Sequence, residues 1–149
     1  METFENTVTI ERPVEDVFAF LADFQNVPRW NYAIGHTTKT SPGPVGVGTT
    51  YRQARSIPTR SQEGFEVNVF DPTHRLAAEG EIGPFQARVA YLLEPVGDAT
   101  RLTNAMELKP SSGVSRLLAP LAASRVKAAV AENLGKLKQI LEGGGQGDF

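Results

Sequence analysis

Few side chains in this 149-residue chain are equipped for acid–base or covalent chemistry, and they stand far apart. The chain holds no cysteine, which excludes disulfides, thiolate nucleophiles and cysteine-ligated zinc. Its two histidines are His36 and His74. If residues near Ile34 form a strand, His36 shares the Ile34 face and points inward, either as a general base or as an ordinary core histidine. His74 follows Asp71-Pro72-Thr73 and reads as an exposed turn residue. Two histidines so placed, with no carboxylates at a supporting interval, do not compose a metal site. Tyr51 and Tyr91 fall on apolar strand faces and complete, with His36, the candidates for a weak acid–base pair. Trp30 and Tyr32 sit where short helices should meet the second strand. Aromatics with one polar tip suit a pocket for an amphipathic ring compound, and suit plain core packing equally well. Asn6 and Asn104 lie on apolar faces too. Pairing Val8 with Leu102 would set them opposite each other, either bonded together or offering donors and acceptors to a ligand.

Other signals carry less. Gly43, Gly46 and Gly48 are not followed by Gly-Lys-Ser/Thr, and their segment leads into a strand, so they form a glycine-rich turn and not a phosphate cradle. Glu79 and Glu81 share a strand face opposite Ala78 and Gly80, which places both on the wet side. Alternation turns Arg52 and Arg88 outward as well. Lys and Arg total 15 against 17 Asp and Glu, a net charge of −2, with no basic cluster to suggest nucleic acid. Met1 to Ile10 is polar and acidic and reads as neither a signal nor a transit peptide, and no run reaches the ~18 apolar residues that span a bilayer. The expectation is a soluble cytoplasmic protein without stable membrane insertion, without metal or cofactor, and with the choice between monomer and homodimer open.

The elements that would position these residues follow from periodicity. Phe4, Asn6, Val8 and Ile10 alternate with Glu5, Thr7 and Thr9, the pattern of a half-buried strand. Pro13 opens a helix with Glu15 and Asp16 in its first turn and Val14, Val17, Phe18 and Leu21 along one stripe. Asn26 to Trp30 breaks it and forms a second short turn of helix. Strands are expected near 33–40, 48–57, 62–70, 75–81, 84–94 and 100–109, each with one apolar and one wet face. Ala122, Val126, Val130, Leu134, Leu137 and Leu141 then recur at helical spacing. Pro120 to Leu141 spans roughly 33 Å at ~1.5 Å per residue, enough to cross a sheet. Pro120 should kink this helix or mark a break after a lead-in containing Leu117 and Leu118.

The opening TVTIERPVEDVFAFLADFQNVPRWN, the GPVGVGTTY segment, VNVFDPTHRL, and YLLEPVGDATRLTNAMEL before the long helix together resemble the START-like (SRPBCC) superfamily. That superfamily includes birch-pollen-type allergens, lipid-transfer domains and polyketide cyclases. The resemblance covers roughly residues 3–141 and is specific for framework. It implies an α+β helix-grip fold: a seven-stranded antiparallel sheet wrapped around a long C-terminal helix, with two short helices between strands 1 and 2. The domain would span 1–142 and a flexible tail 143–149. A sheet bent around one helix need not close tightly, so a cavity is expected, lined by Val8, Phe65, Val67, Leu76, Phe85, Ala87, Val89, Leu102 and Met106. Leu117, Leu118 and Leu121 would lie near its mouth. Ligand contacts are expected from Phe65, Val67, Phe85, Ala87 and Met106, from Leu117 and Leu121, and from the polar or aromatic Asn6, Trp30, Tyr32, His36, Tyr51, Tyr91 and Asn104. The alternative is a solid core, since interiors are usually close-packed.

Three functions compete: binding or transport of a small hydrophobic or aromatic molecule, lipid or polyketide-like; a polyketide cyclase or dehydratase acting in the same cavity; and a protein-interaction role through the convex face. No catalytic motif matches this sequence, and the wet alternation argues against the third.

Overall fold

The computed structural model describes residues 1–110 and 117–143. Strand β1 (Glu2–Ile10) is followed by helix α1 (Val14–Ala22), a 3-10 turn over Phe24–Asn26 and the short helix α2 (Val27–Trp30). Six strands come next: β2 (Ile34–Lys39), β3 (Thr50–Arg55), β4 (Ser61–Asp71), β5 (Arg75–Ile82), β6 (Phe85–Val96) and β7 (Ala99–Pro110). Helix α3 (Ala119–Gly143) ends the described chain; of the tail expected over 143–149, all but Gly143 lies outside the described residues. The strands form one antiparallel sheet in the order β1-β7-β6-β5-β4-β3-β2.

The period-two pattern of β1 has its expected result. Phe4, Asn6, Val8 and Ile10 turn toward α3 while the intervening residues are exposed, and Val8 faces Leu102 across the β1–β7 ladder. Pro13 caps α1, one position before its first turn, with Glu15 and Asp16 just inside; Arg12 pairs with Asp16 at 2.9 Å. Val17, Phe18 and Leu21 are buried by that helix. Pro120 stands second in α3 and produces no kink, because an N–H missing from the first turn breaks no helical hydrogen bond. Leu117 and Leu118 precede α3 as a turn.

Two bulges break the alternation. In β2 the register shifts between Ile34 and His36, so Gly35 is an extra residue against β3. In β4 it shifts between Val67 and Val69, which inserts Asn68. Each bulge reverses which parity faces inward beyond it.

Helix α3 approaches β1, an edge strand, most closely. Its C-terminal half is tied down there. Lys138 Nζ donates to the Thr9 carbonyl at 2.6 Å, Glu142 Oε2 accepts from the Glu11 amide at 2.8 Å, and Arg12 Nη1 reaches the Leu141 carbonyl at 2.5 Å. Leu134, Leu137 and Leu141 fill a core with Ile10, Val17, Leu21, Leu76 and Leu102. The N-terminal half of α3 has smaller residues, and there the packing is incomplete.

Candidate functional site

Between the N-terminal half of α3 and the middle of the sheet lies a cavity of about 560 Å³. Its origin is a coincidence of small side chains. The helix presents Ala122, Val126, Ala129 and Val130, and the strands opposite present Ala77, Ala78, Gly80 and Ala87. None is long enough to cross the gap, so the close packing found around Leu134 and Leu137 is not reached here. Phe24, Val27 and Trp30 close one side from the 3-10 turn and α2, with Phe65, Phe85, Val89 and Met106 along the strands. Tyr32, Ile57, Leu118 and Leu121 also line it and are each about half exposed or more, which makes them an apolar rim.

Gly80 belongs to this wall for a steric reason. It faces Phe65 across β4 and β5, and a Cβ built on it would fall 2.2 Å from the Gly64 carbonyl oxygen and 2.5 Å from the Phe65 Cβ. Only a residue without a side chain lets the strands meet at this register.

Asn31, Glu79, Glu81 and Arg125 border the cavity as well, the last three exposed to solvent, and the more buried polar lining falls into two groups. In the first, Gln53 and Arg55 from β3 converge on Glu63 of β4, which is 2% exposed. Gln53 Nε2 donates to Oε1 at 2.9 Å, while Arg55 Nε at 2.6 Å and the Gly83 amide at 2.7 Å donate to Oε2. The carboxylate thereby neutralises the guanidinium and anchors the turn between β5 and β6. In the second group, Tyr91 of β6 stands directly across from Asn104 of β7. Burial pushes the Tyr91 phenol well above its ordinary pKa, and a hydrogen bond from the Asn104 amide offsets part of that rise. The Asn104 side-chain oxygen is buried and, among the described residues, without a hydrogen-bond partner. Asn133 of α3, 5% exposed, lines the same space.

Of the residues expected at a ligand site, Trp30, Tyr32, Phe65, Phe85, Ala87, Tyr91, Asn104, Met106 and Leu121 are brought together around this cavity, with Val89 and Leu118. Five stand elsewhere. Asn6 does face Asn104 in register, but its amide donates to the Lys127 carbonyl at 3.2 Å, because α3 sits directly over β1. His36 does not share the inward face of Ile34. The bulge at Gly35 turns it outward, where Nε2 meets Thr38 Oγ1 at 2.6 Å, and Thr37 takes the inward position. Tyr51 is 2% exposed and lies behind the wall, stacked on Phe65 at 5.1 Å and tilted against Phe24 at 5.1 Å. Desolvation raises its pKa, with a further push from Asp23. Val67 is sealed in the core, as are Leu76 and Leu102, and Val8 packs against it. Leu117 is 92% exposed and does not line the cavity.

The outer assignments are as expected. Glu79 meets Arg88 at 4.0 Å and Glu94 meets Arg101 at 2.8 Å on the convex face. Among the described residues no cluster of His, Asp and Glu is disposed to hold a metal ion, and no helix is long and apolar enough to cross a membrane. The Glu63–Arg55 pair was missed by sequence reasoning. Its signal was present: Glu63 has the parity of Phe65 and Val67, and Arg55 that of Tyr51 and Gln53.

A seven-stranded antiparallel sheet gripping one long terminal helix, with short helices between the first two strands, is the START-like helix-grip architecture. The chain belongs to the polyketide cyclase/dehydrase and lipid transport family, whose sequence model it matches over residues 1–142. It is similar in fold to TTHA0849 from Thermus thermophilus, at 16% identity and a TM-score of 0.79, over 94% of this chain and 97% of that one. The Zhui aromatase/cyclase from a Streptomyces species superposes with a TM-score of 0.75 at 14% identity, over 93% of this chain and 94% of that one. Rv2574 of Mycobacterium tuberculosis is 49% identical over 47 residues, a stretch that spans 32% of this chain and 28% of that protein.

Proposed function

We propose that this chain binds and carries a small hydrophobic or aromatic molecule, lipid-like or polyketide-like, in the cavity between its sheet and α3. The observation that carries this reading is the hollow itself: about 560 Å³, walled mostly by Phe, Trp, Val, Met and Ala. That size falls within the ~300–1,000 Å³ of small-molecule sites, which are mainly apolar with a few placed polar groups. Trp30, Tyr32, Phe65, Phe85, Ala87, Tyr91, Asn104, Met106 and Leu121 are the proposed contacts. Membership of the polyketide cyclase/dehydrase and lipid transport family supports a ligand of this class.

A second reading, a cyclase or dehydratase, is favoured by Tyr91. It is the one of the three proposed acid–base residues that lines the cavity, and the chain's likeness in fold to an aromatase/cyclase gives that reading a precedent. Its raised pKa suits a donor to a ketone oxygen and not a base. No charged neighbour contributes to that shift, and Glu79 and Glu81, carboxylates that border the cavity, are both exposed to solvent. Binding is therefore the leading function.

Native mass spectrometry of freshly purified protein tests it. A small apolar molecule released on denaturation and rebound on refolding is the expected result. Protein that emerges empty, and that leaves the fluorescence of Trp30 unchanged when titrated with apolar ring compounds up to their solubility, would refute the proposal; Trp30 is the chain's one tryptophan and lines the cavity.

A further inference from the structure

The binding reading leaves the ligand's polar group unspecified, and the pair Tyr91–Asn104 specifies it. Asn104 is 1% exposed, and its side-chain oxygen has no partner among the described residues. Its neighbour across the β1–β7 ladder, Asn6, does not satisfy it: the Asn6 amide donates to the Lys127 carbonyl at 3.2 Å. A buried carbonyl without a donor is costly, and native structures rarely keep one unless something supplies the proton. Tyr91 stands directly across from Asn104 in the β6–β7 ladder and carries a phenol O–H that can donate as well as accept. Both residues line the cavity. One short stretch of wall thus offers an unused acceptor beside an available donor.

We propose that Tyr91 and Asn104 form a hydroxyl-recognising pole, so that the cavity selects a neutral apolar ring compound bearing an O–H group. A hydroxyl oxygen accepts from Tyr91 while its proton goes to Asn104 Oδ1, and both protein groups are then satisfied. An ether or a ketone only accepts, so Asn104 Oδ1 remains orphaned. A carboxylate fails in the same way and sets negative charge against a carbonyl oxygen. Of the two arginines in the lining, Arg55 is already held by Glu63 at 2.6 Å and Arg125 is exposed to solvent, so neither is a buried, uncommitted cation for it.

This inference rests on the proposed binding function, and one set of titrations separates the two. Calorimetry on the full chain would compare β-naphthol with its methyl ether and with naphthalene. The ether is the more apolar of the first pair, so burial alone would favour it. The expected result is binding of β-naphthol at least about tenfold tighter than of either other probe, the effect of one hydrogen bond to an otherwise unpaired buried group. Asn104→Leu should reduce that ratio to near one. If that variant does not fold, Tyr91→Phe, which retains the orphan carbonyl, should keep part of the preference, and the wild-type ratio by itself decides the question. Equal affinity of the wild type for all three probes would overturn the pole and leave the binding function standing. A hydroxyl preference that survives unchanged in Asn104→Leu also overturns it, and failure of every probe to bind overturns both.

Discussion

Replacing Glu63 by glutamine removes the charge that balances Arg55 while keeping the shape of the side chain. The side chains of Glu63 and Arg55 are only 2% and 11% exposed, so water cannot take over the role of the lost carboxylate. Three donors converge on the two oxygens: Gln53 Nε2 on Oε1, and Arg55 Nε with the Gly83 amide on Oε2. Glutamine retains one oxygen and turns an NH₂ toward at least one of those donors. Breaking one partner out of a buried pair typically costs ~3–5 kcal/mol, and glutamine keeps one of the two accepting oxygens, so a loss at the low end, about 3 kcal/mol, is expected. For a domain of this size that corresponds to a fall in Tm of roughly 6–12 °C. In urea, with a slope near ~2 kcal/mol/M, the midpoint should drop by about 1.5 M. Arg55→Met combined with Glu63→Leu should recover much of the deficit, because two matched apolar side chains leave no uncompensated charge. A double-mutant cycle from urea unfolding curves reads this directly, with a coupling of at least ~1 kcal/mol expected. A loss below about 1 kcal/mol for Glu63→Gln, or a double variant as unstable as the sum of the singles, would show that the pair is not the buried anchor described.

Three further outcomes are expected. Gly80→Ala should cost several kcal/mol (~3 or more) or abolish folding, since the added methyl would lie 2.2 Å from the Gly64 carbonyl; a Tm within a few degrees of wild type would contradict that register. Val126→Phe should project into the hollow, abolish binding of apolar probes in calorimetry, and leave stability unchanged or raised by ~0.5–2 kcal/mol; retained binding would place the ligand elsewhere. Tyr91 should make the protein sensitive to alkali. Its folded pKa lies above the unfolded value of 10.0, so above that pH the unfolded chain binds fewer protons and stability falls as pH rises. The contribution is complete below pH 10.0, and Tyr91→Phe should flatten the decline seen by circular dichroism between pH 10 and higher values, where an unchanged slope would argue against a buried phenol.

Much of this architecture was written locally. Period two in Phe4-Asn6-Val8-Ile10 and the stripe Leu134-Leu137-Leu141 depend only on which side chains avoid water, so strand number and the terminal helix followed from the chain itself, while the Asn6–Asn104 register also needed the pairing of first and last strands that the helix-grip resemblance implies. The inward parity of Phe85, Ala87 and Tyr91 was equally legible, and it delivered most of the cavity wall. Alternation carries no information about an inserted residue, however. Gly35 becomes a bulge only because β2 must pair with β3 while Ile34 stays under α2, and His36 is lost from the interior as a result.

The hollow itself was decided by tertiary structure. Ala77, Ala78 and Gly80 are ordinary small residues in a strand, and Ala122 and Ala129 ordinary small residues in a helix, until the fold sets the two groups opposite each other. Whether Tyr51 lines a pocket or is sealed behind Phe65 likewise depends on where Phe24 arrives from another element. Sequence determines which face of each element is apolar; empty space belongs to no residue and exists only between elements, as the volume their packed side chains fail to fill.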